Sequence, residues 1–377
     1  MKLFIFLLSL LLLTGCADTV PSPETEEATI PTVPIATAKA TEPLPDPIQE
    51  ILNTMSLEQR VGQLFLARCH ADTAIEDIQG YHLGGFVLFA EDFGNQTVET
   101  VQKKLCSYQE AADIPLLLAV DEEGGSVTRI SRYKAFRSDR FPSLRNAYLS
   151  GGLDMVLAVE EEKCQLLRTL GLNVNLGPVC DITTEPSAFM YERSLGQDGM
   201  TSADVIFCII WKMNSQGIGS VLKHFPGYGN NLDTHTGIAV DGRSLAELEE
   251  RDLVPFQAGI EAGCGAVLVS HTIVEAMDPE LPASLSPAVH DYLRQELHFE
   301  GVIVTDDLVM QAITDQYGAG EAAVMAVLAG NDLLCSTEYA TQYDAVLEAV
   351  YQGRIDMETL DKAVRNVLEW KLYLGLL

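Results

Sequence analysis

What most restricts the folding of this chain is a repeated alternation, from Ile48 onward, of short apolar runs with longer amphipathic stretches. The apolar runs are Leu64–Ala67, Gly85–Phe89, Pro115–Val120, Leu172–Leu176, Ser220–Leu222, Ala266–Val269, Val302–Val304 and Asp332–Leu334. They are rich in Val, Leu and Ile and lack the polar–apolar alternation of half-exposed strands, as parallel strands buried on both faces do. Helical patterns lie between them, among them Val101–Ala112, Asp154–Leu170, Leu245–Ala262, Pro287–Leu297 and Glu321–Leu328, and the helix Met357–Tyr373 closes the chain. Eight strands alternating with helices, with no Pro- or Gly-rich break, predict one α/β domain folded as a (β/α)8 barrel of the TIM type. A doubly wound open sheet is the rival arrangement.

Ahead of this region the sequence changes character twice. Met1 to Leu13, MKLFIFLLSLLLL, is one Lys and an almost unbroken apolar run, too short to span a bilayer and suited to the core of an export signal. It ends in Leu13-Thr14-Gly15-Cys16, which resembles the bacterial lipobox. That resemblance implies cleavage before Cys16 and a lipid on the new N-terminus. An uncleaved N-terminal anchor is the alternative, and either reading expects the rest of the chain outside the cytoplasm, tethered to a bacterial membrane. Ala17 to Pro47 holds seven of the sixteen prolines and six threonines, with no aromatic residue and no periodicity. Such a stretch cannot bury enough surface to fold and reads as a spacer. The expected organisation is therefore a signal peptide at 1–15, a lipidated Cys and Pro/Thr-rich linker at 16–47, and a folded domain at 48–377.

Charge excludes some partners. The 377 residues carry 54 acidic and 24 basic side chains, a net −30, and Ile48 to Leu377 alone carries 48 and 22, a net −26. Nucleic acid needs clustered Lys and Arg and is not an expected partner. An anionic membrane would likewise repel the domain. Apart from Cys16 there are seven cysteines, scattered and odd in number, without a CxxC pair or a Cys/His cluster. They are expected to be buried free thiols rather than zinc ligands.

The stronger signal is where the ionisable residues fall. Asp121 follows PLLLAV, Lys223 and His224 follow SVL, His271 follows AVLVS, and Asp306 follows GVIVT. Four apolar runs thus end in ionisable groups at the C-terminal edge, which in a barrel is the active-site face. The densest segment is Lys223-His224-Phe225-Pro226-Gly227-Tyr228-Gly229-Asn230-Asn231-Leu232-Asp233-Thr234-His235, a loop whose glycines let a ligand approach the backbone. In an extended segment Asp233 and His235 share a face, and a carboxylate beside an imidazole fixes its tautomer and raises its basicity. A turn-capping Asp beside an incidental His is the plainer reading of that pair. A metal reading would recruit His224, Asp233 and His235, but their irregular spacing matches no standard site, so no metal is expected.

In Val304-Thr305-Asp306-Asp307, two adjacent carboxylates at a strand end can supply a nucleophile and a hydrogen-bonding neighbour, unless Thr305 or Asp306 merely caps the next helix. In Asp121-Glu122-Glu123-Gly124-Gly125-Ser126-Val127-Thr128-Arg129, Asp121 and Arg129 can hold sugar hydroxyls and the glycines permit close approach, unless DEEGG is simply an acidic turn. No phosphate loop or nucleophile elbow is present in the sequence.

Together these motifs resemble the family 3 glycoside hydrolases, specifically the single-domain bacterial β-N-acetylglucosaminidases. The resemblance runs from Ser56-Leu57-Glu58-Gln59-Arg60 to Ala312-Ile313 and includes KHFPG followed by Asp-x-His, Glu192-Arg193-Ser194-Leu195-Gly196, and Asp278-Pro279-Glu280-Leu281-Pro282-Ala283-Ser284. It implies a (β/α)8 barrel with Asp306 as nucleophile, Asp307 as its neighbour, and His235 as acid/base polarised by Asp233. It further implies that Asp121, Arg129, Arg193, Lys223 and His224 bind the terminal sugar, and that no cofactor is needed. The chain departs from the family pattern in having Tyr228 for His, a loop from Gly229 to Asp233 one residue shorter, Glu122 and Ser126 for Gln and Arg, and Leu195 for Phe.

The function so implied is an exo-acting, retaining β-N-acetylhexosaminidase taking terminal β-linked N-acetylglucosamine from cell-wall or chitin-type oligosaccharides. Another exo-β-glycosidase, or a phosphorylase in which phosphate replaces water, is the near alternative. A sugar-binding lipoprotein without turnover is the alternative of another class.

Overall fold

The computed structural model of the chain describes residues 46–183, 185–230 and 239–377. The export signal, Cys16 and nearly all of the spacer lie outside the described residues, as do Asp233 and His235. Eight parallel strands form the central sheet: β1 Phe65–Arg68, β2 Gly85–Leu88, β3 Leu117–Val120, β4 Val174–Asn175, β5 Gly219–Phe225, β6 Ala266–Val269, β7 Val302–Thr305 and β8 Leu334–Ser336. Each pairs with its neighbours in chain order, β8 lies beside β1, and one parallel bridge between Val304 and Leu333 closes β7 to β8. The sheet is a (β/α)8 barrel, and the open-sheet alternative is excluded.

Strand alternation divides the core in two. Leu66, Val87, Leu117, Ala119, Val174, Val221, Ala266, Val302, Val304 and Leu333 fill the barrel interior, while Leu118, Val120, Leu222, Val267 and Ile303 pack outward against the helices. The helix Met357–Tyr373 starts where Asp356 caps the Thr359 amide at 2.7 Å. Its buried stripe, Leu360, Val364, Val367 and Leu368, runs along the barrel and ends in Trp370, which belongs to the interior core. A Cβ on Gly265 would lie 2.0 Å from the Trp370 Nε1, so only glycine before β6 admits the indole.

The observed strands fall on the eight expected runs, with β8 displaced toward the C-terminus. Asp332 is not paired in the ladder: its carboxylate accepts from the Ile303 amide at 2.8 Å and from Arg294 at 2.6 Å. The helix Leu144–Leu170 is broken at Gly151 and Gly152, so the segment against the barrel begins close to the expected Asp154. The expected helix Leu245–Ala262 is interrupted by a wider π turn at Leu248–Asp252, just before Pro255, which has no amide hydrogen to donate. The helix Gly199–Ser215 is harder to read from sequence, because Met200, Phe207 and Trp211 blur its stripe on the solvent side. A two-stranded parallel ribbon, Val240–Asp241 with Ile273–Val274, was not expected, and two residues per strand give too little pattern to show it.

Among the described residues no helix is long and apolar enough to cross a membrane. The expectation of buried thiols is corrected at three positions: Cys69, Cys164, Cys180 and Cys264 are buried, but Cys106 is exposed and Cys208 and Cys335 are partly so. Cys106 faces outward from the amphipathic helix Val98–Ala111, with its thiol 3.5 Å from Glu110.

Candidate active site

At the C-terminal end of the barrel a cavity of about 740 Å³ opens over the top layer of the interior core, Val87, Leu176 and Leu268. Asp121, Arg129, Arg193, Lys223, His224 and Asp306 all line it, so the structure brings together every expected site residue that it describes. Asp233 and His235 are not among those residues.

Asp121 follows β3 directly, and its carboxylate accepts from the Lys223 ammonium at 2.6 Å, with Arg129 at 3.7 Å. Lys223 also meets Glu123 at 2.7 Å, and Glu123 receives both Nε and Nη2 of Arg193 at 2.9 and 2.7 Å. Burial works to raise the Glu123 carboxyl, but Lys223 and Arg193 outweigh it and hold the group well below the usual carboxylate range. Burial likewise opposes the charge on Lys223, and Asp121 and Glu123 carry its ammonium above the ordinary lysine value. The wall is thus a row of alternating, fully paired charges whose remaining donors and acceptors suit a neutral polyhydroxylated ligand.

Lys223 and His224 both line the cavity although they are neighbours in β5. Their shared side coincides with a slip of register against β6 between Leu222 and Phe225, and the peptide joining them is cis. His224 Nδ1 lies 2.7 Å from the buried carboxylate of Asp181, and its Nε2 lies 3.3 Å from Arg193 Nη2. Tyr228 stands edge-on to the His224 ring with centroids 5.3 Å apart, and it leans on Phe189 at 5.9 Å.

Asp306 follows β7, its amide bound to the Val269 carbonyl at 3.0 Å. The two neighbouring carboxylates have different duties. Asp307 accepts the Thr337 hydroxyl at 2.6 Å, the Thr337 amide at 3.1 Å and the Val309 amide at 3.2 Å. Asp306 accepts its neighbour's amide at 2.9 Å, and both residues border the cavity. The capping alternative does not hold, since the next helix, Gln311–Tyr317, starts at Met310 without a side-chain cap.

Two expectations for this face are corrected. His271 is fully buried beneath it, with Nδ1 2.7 Å from the Ser284 hydroxyl and Nε2 donating to the Asp307 carbonyl at 3.0 Å. It braces the turn after β7 and does not line the cavity. Gly124 makes its close approach to the chain itself, because a Cβ there would lie 2.1 Å from the Pro142 carbonyl oxygen. Glu122, unusual for the family pattern, turns inward and accepts the amides of Arg129 and Ile130, both at 2.8 Å, so it shapes the loop that presents Arg129.

Sequence reasoning missed Glu123, read only as part of a turn, and Asp181. The same edge rule that found Asp306 would have found Asp181, which follows the short run Val179-Cys180. It missed Arg68 and Phe89 as well, which line the cavity with the Arg68 guanidinium 4.3 Å from the Phe89 ring centre. Each follows an apolar run too closely to look like anything but its end.

A barrel whose top gathers several carboxylates and paired cations around one cavity has the chemistry that glycoside hydrolysis uses. Residues 56–370 match the family described as "Glycosyl hydrolase family 3 N terminal domain", and the chain belongs to glycosyl hydrolase family 3. It is 38% identical over 283 residues to a protein named "Beta-hexosaminidase" from Stenotrophomonas maltophilia (strain K279a), over 72% of this chain and 81% of that one. A solved glycoside hydrolase family 3 beta-N-acetylglucosaminidase from Paenibacillus sp. str. FPU-7 superposes with a TM-score of 0.80 at 32% identity over 85% of this chain. This chain spans 63% of that longer protein. The structure of M tuberculosis LpqI superposes with a TM-score of 0.78 at 27% identity, over 86% of this chain and 96% of that one.

Proposed function

We propose that this protein is an exo-acting, retaining β-N-acetylhexosaminidase that releases terminal β-linked N-acetylglucosamine from cell-wall or chitin-type oligosaccharides. The observation that carries the reading is the asymmetry of two adjacent carboxylates on the cavity wall: Asp307 is fixed by the Thr337 hydroxyl and amide, while Asp306 accepts the Asp307 amide. In the proposed reaction the Asp306 carboxylate attacks the anomeric carbon as His235, polarised by Asp233, protonates the departing oxygen. A glycosyl-enzyme forms, and His235 then takes a proton from water as that water displaces Asp306 with net retention. Asp121, Arg129, Arg193, Lys223 and His224 hold the hydroxyls of the terminal sugar. The names of the relatives support N-acetylglucosamine over other sugars.

The finer setting is proposed on sequence alone. Residues 1–15 form an export signal, Cys16 carries lipid, 16–47 is a tether, and 48–377 works outside the cytoplasm at a bacterial membrane. Metabolic labelling with an azido fatty acid tests this, and equal label on wild type and Cys16→Ala would remove it.

The activity is tested by hydrolysis of 4-nitrophenyl β-N-acetylglucosaminide beside the β-glucoside and β-xyloside, with and without phosphate. Release from the first substrate, lost by at least about a thousandfold in Asp306→Ala, is the expected result. Preferred release from another sugar, or release needing phosphate, would move the assignment within the family. Undiminished turnover in Asp306→Ala would overturn the nucleophile, and no release from any sugar would favour a binding protein.

A further inference from the structure

The sugar-binding wall ends at a residue that faces no cavity. Asp181 has a side chain with no exposure at all, and its two oxygens accept three bonds. Oδ2 accepts the His224 amide at 3.1 Å and pairs with His224 Nδ1 at 2.7 Å, while Oδ1 accepts the Tyr228 amide at 2.7 Å. On the other side of the same imidazole, Nε2 lies 3.3 Å from Arg193 Nη2, and a guanidinium can only donate.

We propose that Asp181 is a positioning residue that locks His224 as the Nδ1–H tautomer, leaving its Nε2 lone pair turned toward Arg193 and the sugar. The chemistry admits one consistent arrangement. A carboxylate bound by two amides accepts only, so the proton between Asp181 and His224 sits on Nδ1. The opposite nitrogen then accepts from Arg193, and the Arg193–His224 pair meets the substrate as a donor beside an acceptor. With the other tautomer, Nε2–H would point at the guanidinium and Nδ1 would set its lone pair against the carboxylate. The third bond, to the Tyr228 amide, sets the start of the segment that leads in sequence to Asp233 and His235. Asparagine cannot substitute: its NH2 faces either the His224 amide or the Tyr228 amide, donor against donor.

The inference rests on His224 binding the sugar as proposed above, and its test is made separable from that reading. In full-length protein labelled with 15N-histidine, two-bond 1H–15N spectra read the tautomer without any substrate, and His224→Gln identifies the signal. Protonated Nδ1 and an unprotonated Nε2 at His224 are expected, and Nε2–H in the wild type would overturn the proposal. Asp181→Asn is expected to shift that signature and to lower kcat/KM on 4-nitrophenyl β-N-acetylglucosaminide at least about tenfold. Introduced into His224→Gln, the same change is expected to cost less than about twofold more. A loss as large in that background as in the wild type would overturn action through His224, and the wild-type spectrum decides if Asp181→Asn does not fold. Wild type inactive on the sugar substrate would count against the proposed activity and leave the tautomer result standing.

Discussion

Single side chains in this protein are assigned their duties by what they are bonded to more than by what they are. Asp306 and Asp307 are identical in chemistry and adjacent in sequence, yet only the second is held by Thr337. Asp307→Asn is therefore expected to keep measurable turnover while costing about 1–3 kcal/mol of stability, the scale of a hydrogen bond to a charged group, read from denaturant midpoints. Glu123 is the opposite extreme, a buried carboxylate between Lys223 and Arg193. Glu123→Gln leaves the buried Arg193 without its carboxylate, while Lys223 keeps Asp121, and should cost about 3–5 kcal/mol. Because the folded carboxyl is depressed below its unfolded value, its contribution is present above the unfolded range near pH ~4.3 and is lost as pH falls through the folded one. The stability curve of Glu123→Gln should accordingly be flatter below about pH 4 than that of the wild type. Parallel acid limbs for the two proteins would show that the carboxylate is not so held.

At the scale of elements, strands read more clearly than anything else because each is buried on both faces, so that Val302–Val304 or Ala266–Val269 admits no other reading. Where side chains replace ladder bonds, as Asp332 does before β8, the pattern and the strand part company. The candidate site was legible beyond charges at strand ends: that rule points to Asp121, Lys223, His224 and Asp306, and wrongly to His271, while Arg129 comes from its own motif and Arg193 from the family resemblance. Glu123 was not legible, since its importance lies in a contact across 70 residues of sequence that no local pattern encodes, and Asp181 follows an apolar run of two residues, too short to stand out. The closing helix makes two predictions at this scale. Gly265→Ala should drive a methyl into Trp370 and destabilise by about 1–3 kcal/mol, measured as a lowered thermal midpoint. Lys371, next along, is buried with Gln63 as its partner at 2.6 Å, and burial pushes its ammonium down to about 7. Since the unfolded chain stays protonated up to about pH 10.4, wild-type stability should rise with pH between about 7 and 10. Lys371→Met should remove that rise and be the more stable form near pH 7, with the gap closing toward pH 10. A gap independent of pH would mean that the ammonium is retained inside.

Over the whole molecule the net charge of −30 meets a site whose own charges are paired. The field is thus felt by an approaching substrate before it is felt in the site. Turnover of a neutral glycoside is expected to be insensitive to salt, while kcat/KM for a substrate with a carboxylate on its aglycone should rise as salt from about 0.01 to 0.15 M shortens the screening length from about 30 to 8 Å. An equal response of both substrates would place the relevant charge inside the cavity.

The barrel itself closes through one backbone bridge, Val304 to Leu333, flanked by backbone bonds from Asp332 to Ile303 and from Leu308 to Cys335, and side chains add the other fastenings of that join. The Thr305 hydroxyl accepts the Cys335 amide, Asp332 accepts the Ile303 amide, and Asp307 accepts the Thr337 amide and hydroxyl. A backbone ladder survives almost any change of residue, whereas these fastenings are specific to the residue that makes them. Drift in sequence is thus cheap where the ladder alone joins the strands and expensive at the join beside Asp306, as it is between β3 and β4, where the Asn173 and Asn175 side chains accept the Leu118 and Glu122 amides. In a saturation library selected only for folding, positions 305, 307 and 332 should tolerate the fewest replacements on the barrel rim, so that inheritance of the fold carries with it the frame on which Asp306 stands.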